Sequence, residues 1–133
     1  MTDMGPGERP SERDTRVLLA DDQATFREVA CGVVAETRGL ELVAAVACLT
    51  RLPELIDRHG ADVLLLDVRI PGEDTLGMAA LLRRTRPDVQ VVLVSANSIE
   101  DIPQEIFELG VGFLAKEDLS PQTLVETIAA LSA

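Results

Sequence analysis

An unbroken apolar run, Val63-Leu64-Leu65-Leu66, ends on a carboxylate at Asp67 and is soon followed by the turn-forming pair Pro71-Gly72. A strand without polar alternation is covered on both faces, which is typical of the middle of a parallel sheet. Asp67 then lies at the carboxyl end of that strand. Because ligands of open α/β sheets bind at that end, Asp67 is a candidate functional residue. For an aspartate considered in isolation, capping of the following turn is the favoured interpretation.

Short apolar runs alternate with amphipathic stretches along the chain, as they do in repeated βα units. The strands are predicted at 16–20, 41–47, 63–67, 89–94 and 111–115, and the helices at 24–38, 50–59, 75–86, 101–109 and from 121 onward. The length of 133 residues suits one α/β domain, which we place at 15–133. Residues 1–14 combine Gly, Pro and charge, and we predict a disordered leader there.

Composition excludes several classes of function. A formal net charge of -11 opposes binding to nucleic-acid phosphates, and an aromatic content of 2% leaves little for base stacking, so no direct nucleic-acid contact is expected. The chain shows neither a signal peptide nor an apolar run that could span a bilayer, so we expect a cytoplasmic protein without membrane contact. Cys31 and Cys48 lack metal-ligand spacing and a disulfide framework, and we expect them to be buried, reduced thiols.

Polar or charged residues close four of the predicted strands. They are Asp21-Asp22, Asp67, Ser95 and Lys116. In a parallel sheet these side chains meet in one crevice, where the carboxylates repel one another unless they take up protons or surround a cation. Oxygen ligands without His or Cys favour a hard ion, and Mg²⁺ is the natural candidate. Lys116 is the only lysine in the chain, and it is placed where a compact positive charge would face the acids.

Four segments in this order resemble the receiver domain of two-component response regulators, within the CheY-like superfamily. They are Leu18-Leu19-Ala20-Asp21-Asp22, Leu65-Leu66-Asp67-Val68-Arg69-Ile70-Pro71-Gly72, Val92-Leu93-Val94-Ser95-Ala96 and Gly112-Phe113-Leu114-Ala115-Lys116. Receivers of the NarL type are the most similar, on the motif Gly-Phe-Leu-x-Lys-Glu-Asp and the segment Phe26-Arg27-Glu28. The resemblance covers the chain from about Arg16 to its end. It implies a flavodoxin-like (βα)5 fold, a doubly wound parallel sheet of five strands in the order 2-1-3-4-5.

The resemblance also implies a chemistry for the acids. Asp67 would be the phosphoacceptor, taking a phosphoryl group from a phosphohistidine on a sensor histidine kinase. Asp22, Asp67 and the backbone carbonyl of Arg69 would hold Mg²⁺, with Asp21 acting largely through water. Such a protein is not an enzyme for an outside substrate, because it catalyses only its own phosphotransfer and autodephosphorylation.

Further roles follow for Lys116, Ser95 and Phe113. Lys116 would neutralise the phosphoryl oxygens, and Ser95 would donate a hydrogen bond to one of them. Ser95 and Phe113 would form the switch that alters the face made by the fourth helix, the last strand and the fifth helix. The implied partners are the kinase and, on phosphorylation, a second copy of the chain. NarL-type receivers usually precede a helix-turn-helix domain, so we expect the N-terminal part of, or a relative of, a transcription response regulator, with DNA contact only through a further C-terminal domain.

The chain departs from the family pattern in two places. Glu73-Asp74-Thr75 stands where the family commonly has Met-Asp-Gly, so Glu73 is expected to add a negative charge near the site. The Gly110-Val111-Gly112 loop is one residue shorter than usual. These departures motivate an alternative, a pseudo-receiver that acts as a constitutive interaction module. A phosphatase of the haloacid dehalogenase type is less favoured, because Arg69 stands where those enzymes place a second aspartate.

Overall fold

The computed structural model describes residues 13–97 and 99–132, which form one five-stranded parallel sheet flanked by helices. The strands are β1 (Thr15–Ala20), β2 (Leu40–Val46), β3 (Val63–Asp67), β4 (Gln90–Ser95) and β5 (Gly112–Ala115). The helices are α1 (Ala24–Glu36), α2 (Leu52–His59), α3 (Thr75–Thr85), α4 (Gln104–Phe107) and α5 (Pro121–Ser132). The strand order β2-β1-β3-β4-β5 confirms the predicted fold class. Within the described residues, no helix has both the length and the hydropathy needed to cross a membrane.

Strand β3 lies at the centre of the sheet, paired with β1 on one side and β4 on the other. Val63 and Leu65 pack into the apolar cluster that includes residues of α1 and α5, whereas Leu64 and Leu66 pack into the cluster that includes residues of α2 and α3. All four side chains are at most 1% exposed. Burial on both faces accounts for the unbroken apolar run, and it fixes Asp67 at the carboxyl edge of the sheet.

The fourth helix is much shorter than predicted. A single 3-10 turn covers Ile99–Asp101, and α4 itself has only four residues. The predicted start at 101 is wrong because Ile102 precedes a proline, whose ring disfavours the helical conformation in the residue before it. Pro103 is itself extended, with ψ 139°, so the helix begins only after it. The chain leaves this segment at Gly110, whose φ of +86° suits glycine.

The cysteines are less buried than predicted. Cys31 is only partly buried on α1, and Cys48 is exposed. Strand β2 is an edge strand that ends at Val46, so Cys48 falls in the connection beyond the sheet, where neither apolar cluster covers it.

The described chain is anchored at its start to the amino end of β3. Both terminal guanidinium nitrogens of Arg13 donate to the Asp62 carboxylate, at 3.0 and 3.1 Å, and the backbone N–H of Arg16 donates to it at 2.9 Å. This places the entry of the chain at the edge of the sheet opposite Asp67. Apart from residues 13 and 14, the predicted leader at 1–14 lies outside the described residues.

Candidate functional site

Three carboxylates converge at the carboxyl edge of the sheet. Asp67 is the last residue of β3, and Asp21 and Asp22 directly follow the neighbouring strand β1. One oxygen from each carboxylate lies within 4.8 Å of the other two. Asp21 is 0% exposed and Asp67 is 4% exposed, whereas Asp22 faces solvent. The fold therefore brings together the three acids that the sequence placed at strand ends.

Each buried acid has one oxygen fixed by the turn that follows it. Asp67 Oδ1 accepts the N–H of Arg69 at 3.0 Å, and Asp21 Oδ1 accepts the N–H of Gln23 at 2.7 Å. The second oxygens face Lys116, whose Nζ lies 3.3 Å from Asp67 Oδ2 and 2.7 Å from Asp21 Oδ2. Despite that short ion pair, Asp21 Oδ2 receives no hydrogen bond of normal geometry from the described residues. The Oδ2 atoms of both acids thus lie beside the ammonium of Lys116.

Burial raises the pKa of Asp67, because its charged form loses contact with water. The hydrogen bond from the Arg69 N–H lowers this pKa, the charge of Asp21 raises it, and Lys116 lowers it again, so the net direction is upward. The ionised carboxylate is therefore disfavoured at this position unless further positive charge is supplied.

The donor set fits a hard divalent cation such as Mg²⁺. The converging atoms are all carboxylate oxygens, the ligands that Mg²⁺ prefers in proteins. A single ammonium does not balance three carboxylates, and the buried Asp21 Oδ2 still lacks a hydrogen bond. Arg69, whose backbone carbonyl is the predicted third ligand beside Asp22 and Asp67, lines a cavity next to Asp67. The residues present therefore suit the predicted ion.

A cavity of about 120 Å³ lies over the ends of the central strands. Its lining comprises Asp67, Ser95 and Lys116, together with Gln23, Arg69, Ala96 and Asn97. Ser95, the last residue of β4, is 3% exposed, and its Oγ accepts the N–H of Asn97 at 2.9 Å. The carboxylate, hydroxyl and ammonium predicted to handle a phosphoryl group thus line one cavity.

Phe113 lies on β5, partly buried and outside the lining of that cavity. Its ring meets Phe107 of α4 edge to face, with 6.4 Å between centroids and 69° between planes. Phe113 therefore links β5 to the short fourth helix, and its role as a switch stays a prediction.

Sequence reasoning assigned no role in the site to three residues at the start of α1. Gln23 Oε1 accepts a hydrogen bond from Lys116 Nζ at 3.0 Å, and the Phe26 ring centroid lies 4.5 Å from the same nitrogen. Arg27 donates to the backbone carbonyl of Asp21 at 2.7 Å. The available signal was position: a helix that begins directly after Asp21-Asp22 must turn its first residues toward the site.

Glu73 is not one of the converging carboxylates. Its Oε1 accepts the N–H of Leu49 at 2.8 Å, in the connection between β2 and α2. The neighbours of Glu73 also make local contacts: Asp74 caps the amino end of α3, and the Thr75 hydroxyl donates to the Val68 carbonyl. The Glu73 carboxylate is therefore engaged in a loop contact outside the group of converging acids, and the effect of its charge on the site stays a prediction.

Sequence comparison relates the chain to signalling proteins. The family model described as "Response regulator receiver domain" matches residues 17–129. The chain is similar to the "Probable transcriptional regulatory protein NarL" of Mycobacterium tuberculosis, with 32% identity over 109 residues, which are 81% of this chain and 50% of that protein. It is also 29% identical over 102 residues to "Response regulator GacA" of Pseudomonas aeruginosa, covering 76% and 48% of the two chains. The chain spans about half the length of the curated relatives it matches.

Solved structures show the same fold. The signal receiver domain of NarL from Mycobacterium tuberculosis superimposes with a TM-score of 0.76 at 30% identity, covering 89% of this chain and 95% of that one. The isolated receiver domain of RcsB from Salmonella enterica, solved with phosphomimetic BeF3-, gives a TM-score of 0.77 at 21% identity over 90% and 89% of the two chains. At that identity the RcsB match supports the fold alone.

Proposed function

Because the chain belongs to the response regulator receiver domain family, we propose that Asp67 accepts a phosphoryl group from a phosphohistidine of a sensor histidine kinase. The observation that supports this most directly is the placement of Asp67 Oδ2, 3.3 Å from Lys116 Nζ in a cavity that Ser95 also lines. Asp67 Oδ1 is already engaged by the N–H of Arg69. Oδ2 is therefore the oxygen we assign as the nucleophile.

The transfer exchanges one bond to phosphorus for another. Asp67 Oδ2 forms the new phosphorus–oxygen bond while the phosphorus–nitrogen bond to the donor imidazole breaks. The imidazole leaves with the electron pair of that bond and takes up a proton, and an acyl phosphate remains on Asp67. The acyl phosphate carries about -1.5 to -2 units of charge beside Lys116 and Ser95, in place of the single negative charge of the carboxylate. Lys116 would neutralise the phosphoryl oxygens, and the Ser95 hydroxyl would donate a hydrogen bond to one of them.

Mg²⁺ is the cofactor we assign to the site, held by Asp22, Asp67 and the Arg69 backbone carbonyl, with Asp21 acting largely through water. When bound, the ion supplies the positive charge that offsets repulsion between a carboxylate and an incoming anionic phosphate. The raised pKa of Asp67, caused chiefly by burial, supports this assignment, because the ionised carboxylate is disfavoured without added positive charge.

The output that we propose is the switching of a partner-binding face. Receiver domains are signalling modules rather than classical enzymes, and autodephosphorylation would reset this one. Ser95 and Phe113 would couple the phosphoryl group to the face formed by α4, β5 and α5, which then binds a partner or a second copy of the chain. Curated relatives are named as transcriptional regulators, so we propose that this cytoplasmic receiver belongs with a transcription response regulator. DNA contact would come from a further domain.

Acetyl phosphate with Mg²⁺ tests the proposal. We expect intact-protein mass spectrometry to show the gain of one phosphoryl group in the wild-type protein and no gain in Asp67→Asn. Asp88→Asn is the matched control, because Asp88 is exposed just before the amino end of β4, and it should be phosphorylated as the wild type is. Absence of a mass gain with acetyl phosphate and with phosphorylated histidine kinases would instead favour a constitutive interaction module.

A further inference from the structure

We propose that Gln23 is a positioning residue that holds Lys116 in the resting state and thereby sets how readily the site accepts a phosphoryl group. This inference rests on the proposed function of Asp67. It concerns a contact between the first residue after the acid pair and the only lysine of the chain, 93 positions later.

Two separate contacts fix Gln23 in the site. Its backbone is the amino cap of α1, with φ -90° and ψ 112°, and its N–H donates to Asp21 Oδ1 at 2.7 Å. The backbone bond aligns the residue without using its side chain. The amide oxygen Oε1 then reaches across the sheet edge and accepts from Lys116 Nζ at 3.0 Å. Changing the side chain therefore leaves the Asp21 turn in place.

The ammonium of Lys116 already contacts oxygens and an aromatic ring before any phosphoryl group arrives. Its three oxygen neighbours are Asp21 Oδ2 at 2.7 Å, Gln23 Oε1 at 3.0 Å and Asp67 Oδ2 at 3.3 Å. Two of these oxygens, Gln23 Oε1 and Asp67 Oδ2, accept hydrogen bonds from the ammonium, and the Asp21 oxygen is an ion-pair contact. The Phe26 ring, 4.5 Å away, adds an electrostatically attractive surface on another side. Lys116 itself is only 11% exposed at its side chain.

A phosphoryl group on Asp67 must therefore compete for a donor that is already in use. Of the three oxygen neighbours, Gln23 Oε1 is the only neutral one, and Gln23 is exposed whereas Asp21 and Asp67 are buried. Hydrogen bonds to charged partners are stronger than those to neutral ones, so the Gln23 contact is the one that costs least to exchange. Gln23 thus stabilises the resting position of Lys116 against the phosphorylated one.

Two substitutions separate this role from a structural one. Gln23→Met keeps the length of the side chain but removes the acceptor, so Lys116 should turn to a phosphoryl analogue more readily. We expect beryllofluoride to bind about three- to tenfold more tightly in the presence of Mg²⁺, which corresponds to the loss of one modest hydrogen bond. Gln23→Glu should weaken beryllofluoride binding about tenfold or more, because it adds a fourth anion that also holds Lys116.

The single lysine makes the measurement direct. In protein labelled with carbon-13 and nitrogen-15 lysine, every lysine side-chain NMR signal comes from Lys116, and the shift of its ammonium signal follows a beryllofluoride titration at fixed Mg²⁺. Gln122→Met is the matched control, since Gln122 is exposed on α5 and donates to Glu126, and it should behave as the wild type. Affinity for Mg²⁺ alone should be unchanged in Gln23→Met, because the N–H of residue 23 still binds Asp21.

The outcomes distinguish this inference from the proposed function. If the wild-type lysine signal responds to beryllofluoride while Gln23→Met has wild-type affinity, or binds more weakly, the role of Gln23 is overturned and the receiver function stands. Equal changes in the affinities for Mg²⁺ and beryllofluoride would also overturn it, because they would indicate a general disturbance of the site. No response of the wild-type signal would overturn both.

Discussion

Glu73 Oε1 accepts the backbone N–H of Leu49 at 2.8 Å and so joins the loop after β3 to the loop after β2. Leu49 is 7% exposed, so its N–H has little access to water as an alternative partner. Two residues later, Arg51 has a φ of 61°, the only positive φ of a non-glycine residue within the described chain. The Glu73 carboxylate therefore helps to hold a strained loop, and it braces the segment between Asp67 and α3.

Removing this contact should cost stability without changing the affinity for the cation. We expect Glu73→Ala to lower the free energy of unfolding by about 1–3 kcal/mol, because the Leu49 N–H is left without its acceptor. Glu73→Gln keeps an oxygen at the same place and should lose less than about 1 kcal/mol. Urea unfolding gives both values, and Glu36→Ala, at an exposed position on α1, serves as the control.

The affinity for Mg²⁺ distinguishes this stabilising contact from an electrostatic effect of Glu73 on the site. If Glu73 acted on the site through its charge, Glu73→Gln would change Mg²⁺ binding severalfold with little change in stability. We expect the Mg²⁺ affinity of Glu73→Gln to match that of the wild type.

The parts of the fold that could be predicted from sequence are those where local pattern and tertiary burial agree. The apolar run before Asp67 is buried on both faces, and the strand-end positions of Asp67, Ser95 and Lys116 follow from parallel topology alone. Side-chain direction in loops does not follow in this way. Glu73 was expected near the acids because it is close in sequence, but its partner Leu49 lies 24 positions away, where no periodic pattern indicates a contact.

The short fourth helix shows a second limit of predicting structure from sequence. The sequence predicted a helix at 101–109 with Pro103 in its first turn, yet the backbone restriction around Pro103 delays the start of the helix to Gln104. Gln23 was missed for a third reason: a neutral side chain beside two aspartates carries no chemical signal until the position of Lys116 is known.

Asp22 offers a test of the metal site that leaves the fold nearly intact. Because Asp22 is exposed, Asp22→Asn should unfold at about the wild-type urea concentration when chelator is present. Saturating Mg²⁺ at about 100 times its dissociation constant should stabilise the wild type by about 2.7 kcal/mol. At that same concentration Asp22→Asn should gain clearly less, because loss of one carboxylate weakens Mg²⁺ binding about tenfold or more. Equal stabilisation of the two proteins would remove Asp22 from the ligand set.

Gly112 of β5 lies close beneath side chains of α5. A Cβ added there would lie 3.1 Å from Leu131 Cδ1 and 3.2 Å from Thr127 Cγ2. Gly112→Ala should therefore lower the free energy of unfolding by about 1–3 kcal/mol through overpacking. Gly32→Ala is the matched control in α1, since nothing lies within 4 Å of its added Cβ, and it should stabilise the protein by about 0.5–1 kcal/mol. Urea unfolding measures the stability of both variants. A Gly112→Ala substitution that is neutral or stabilising would contradict this account.

The raised pKa of Asp67 makes a prediction about stability and pH. Burial, the largest cause, makes the folded protein bind a proton at Asp67 more readily than the unfolded chain does. Between the ordinary aspartate pKa and the raised one, the folded state holds more protons, so this group's contribution to stability falls as pH rises. Above the pKa that Asp67 has in the folded protein, the folded state bears the full free-energy cost of the buried, ionised carboxylate. Asp67→Asn removes that cost, and Lys116 keeps Asp21 at 2.7 Å. The variant should therefore be more stable than the wild type at neutral pH when chelator is present.

Urea unfolding across a pH series measures the difference between Asp67→Asn and the wild type. That difference should shrink as pH falls below the ordinary aspartate pKa, where the carboxyl is protonated in both states. Asp57 is the control of opposite sign, because its hydrogen bond from Arg86 lowers the pKa of Asp57. Asp57→Asn should be less stable than the wild type at neutral pH, and its deficit should also disappear on acidification. A neutral-pH deficit for Asp67→Asn that vanishes in acid would mean that Lys116 outweighs burial in setting the charge of Asp67.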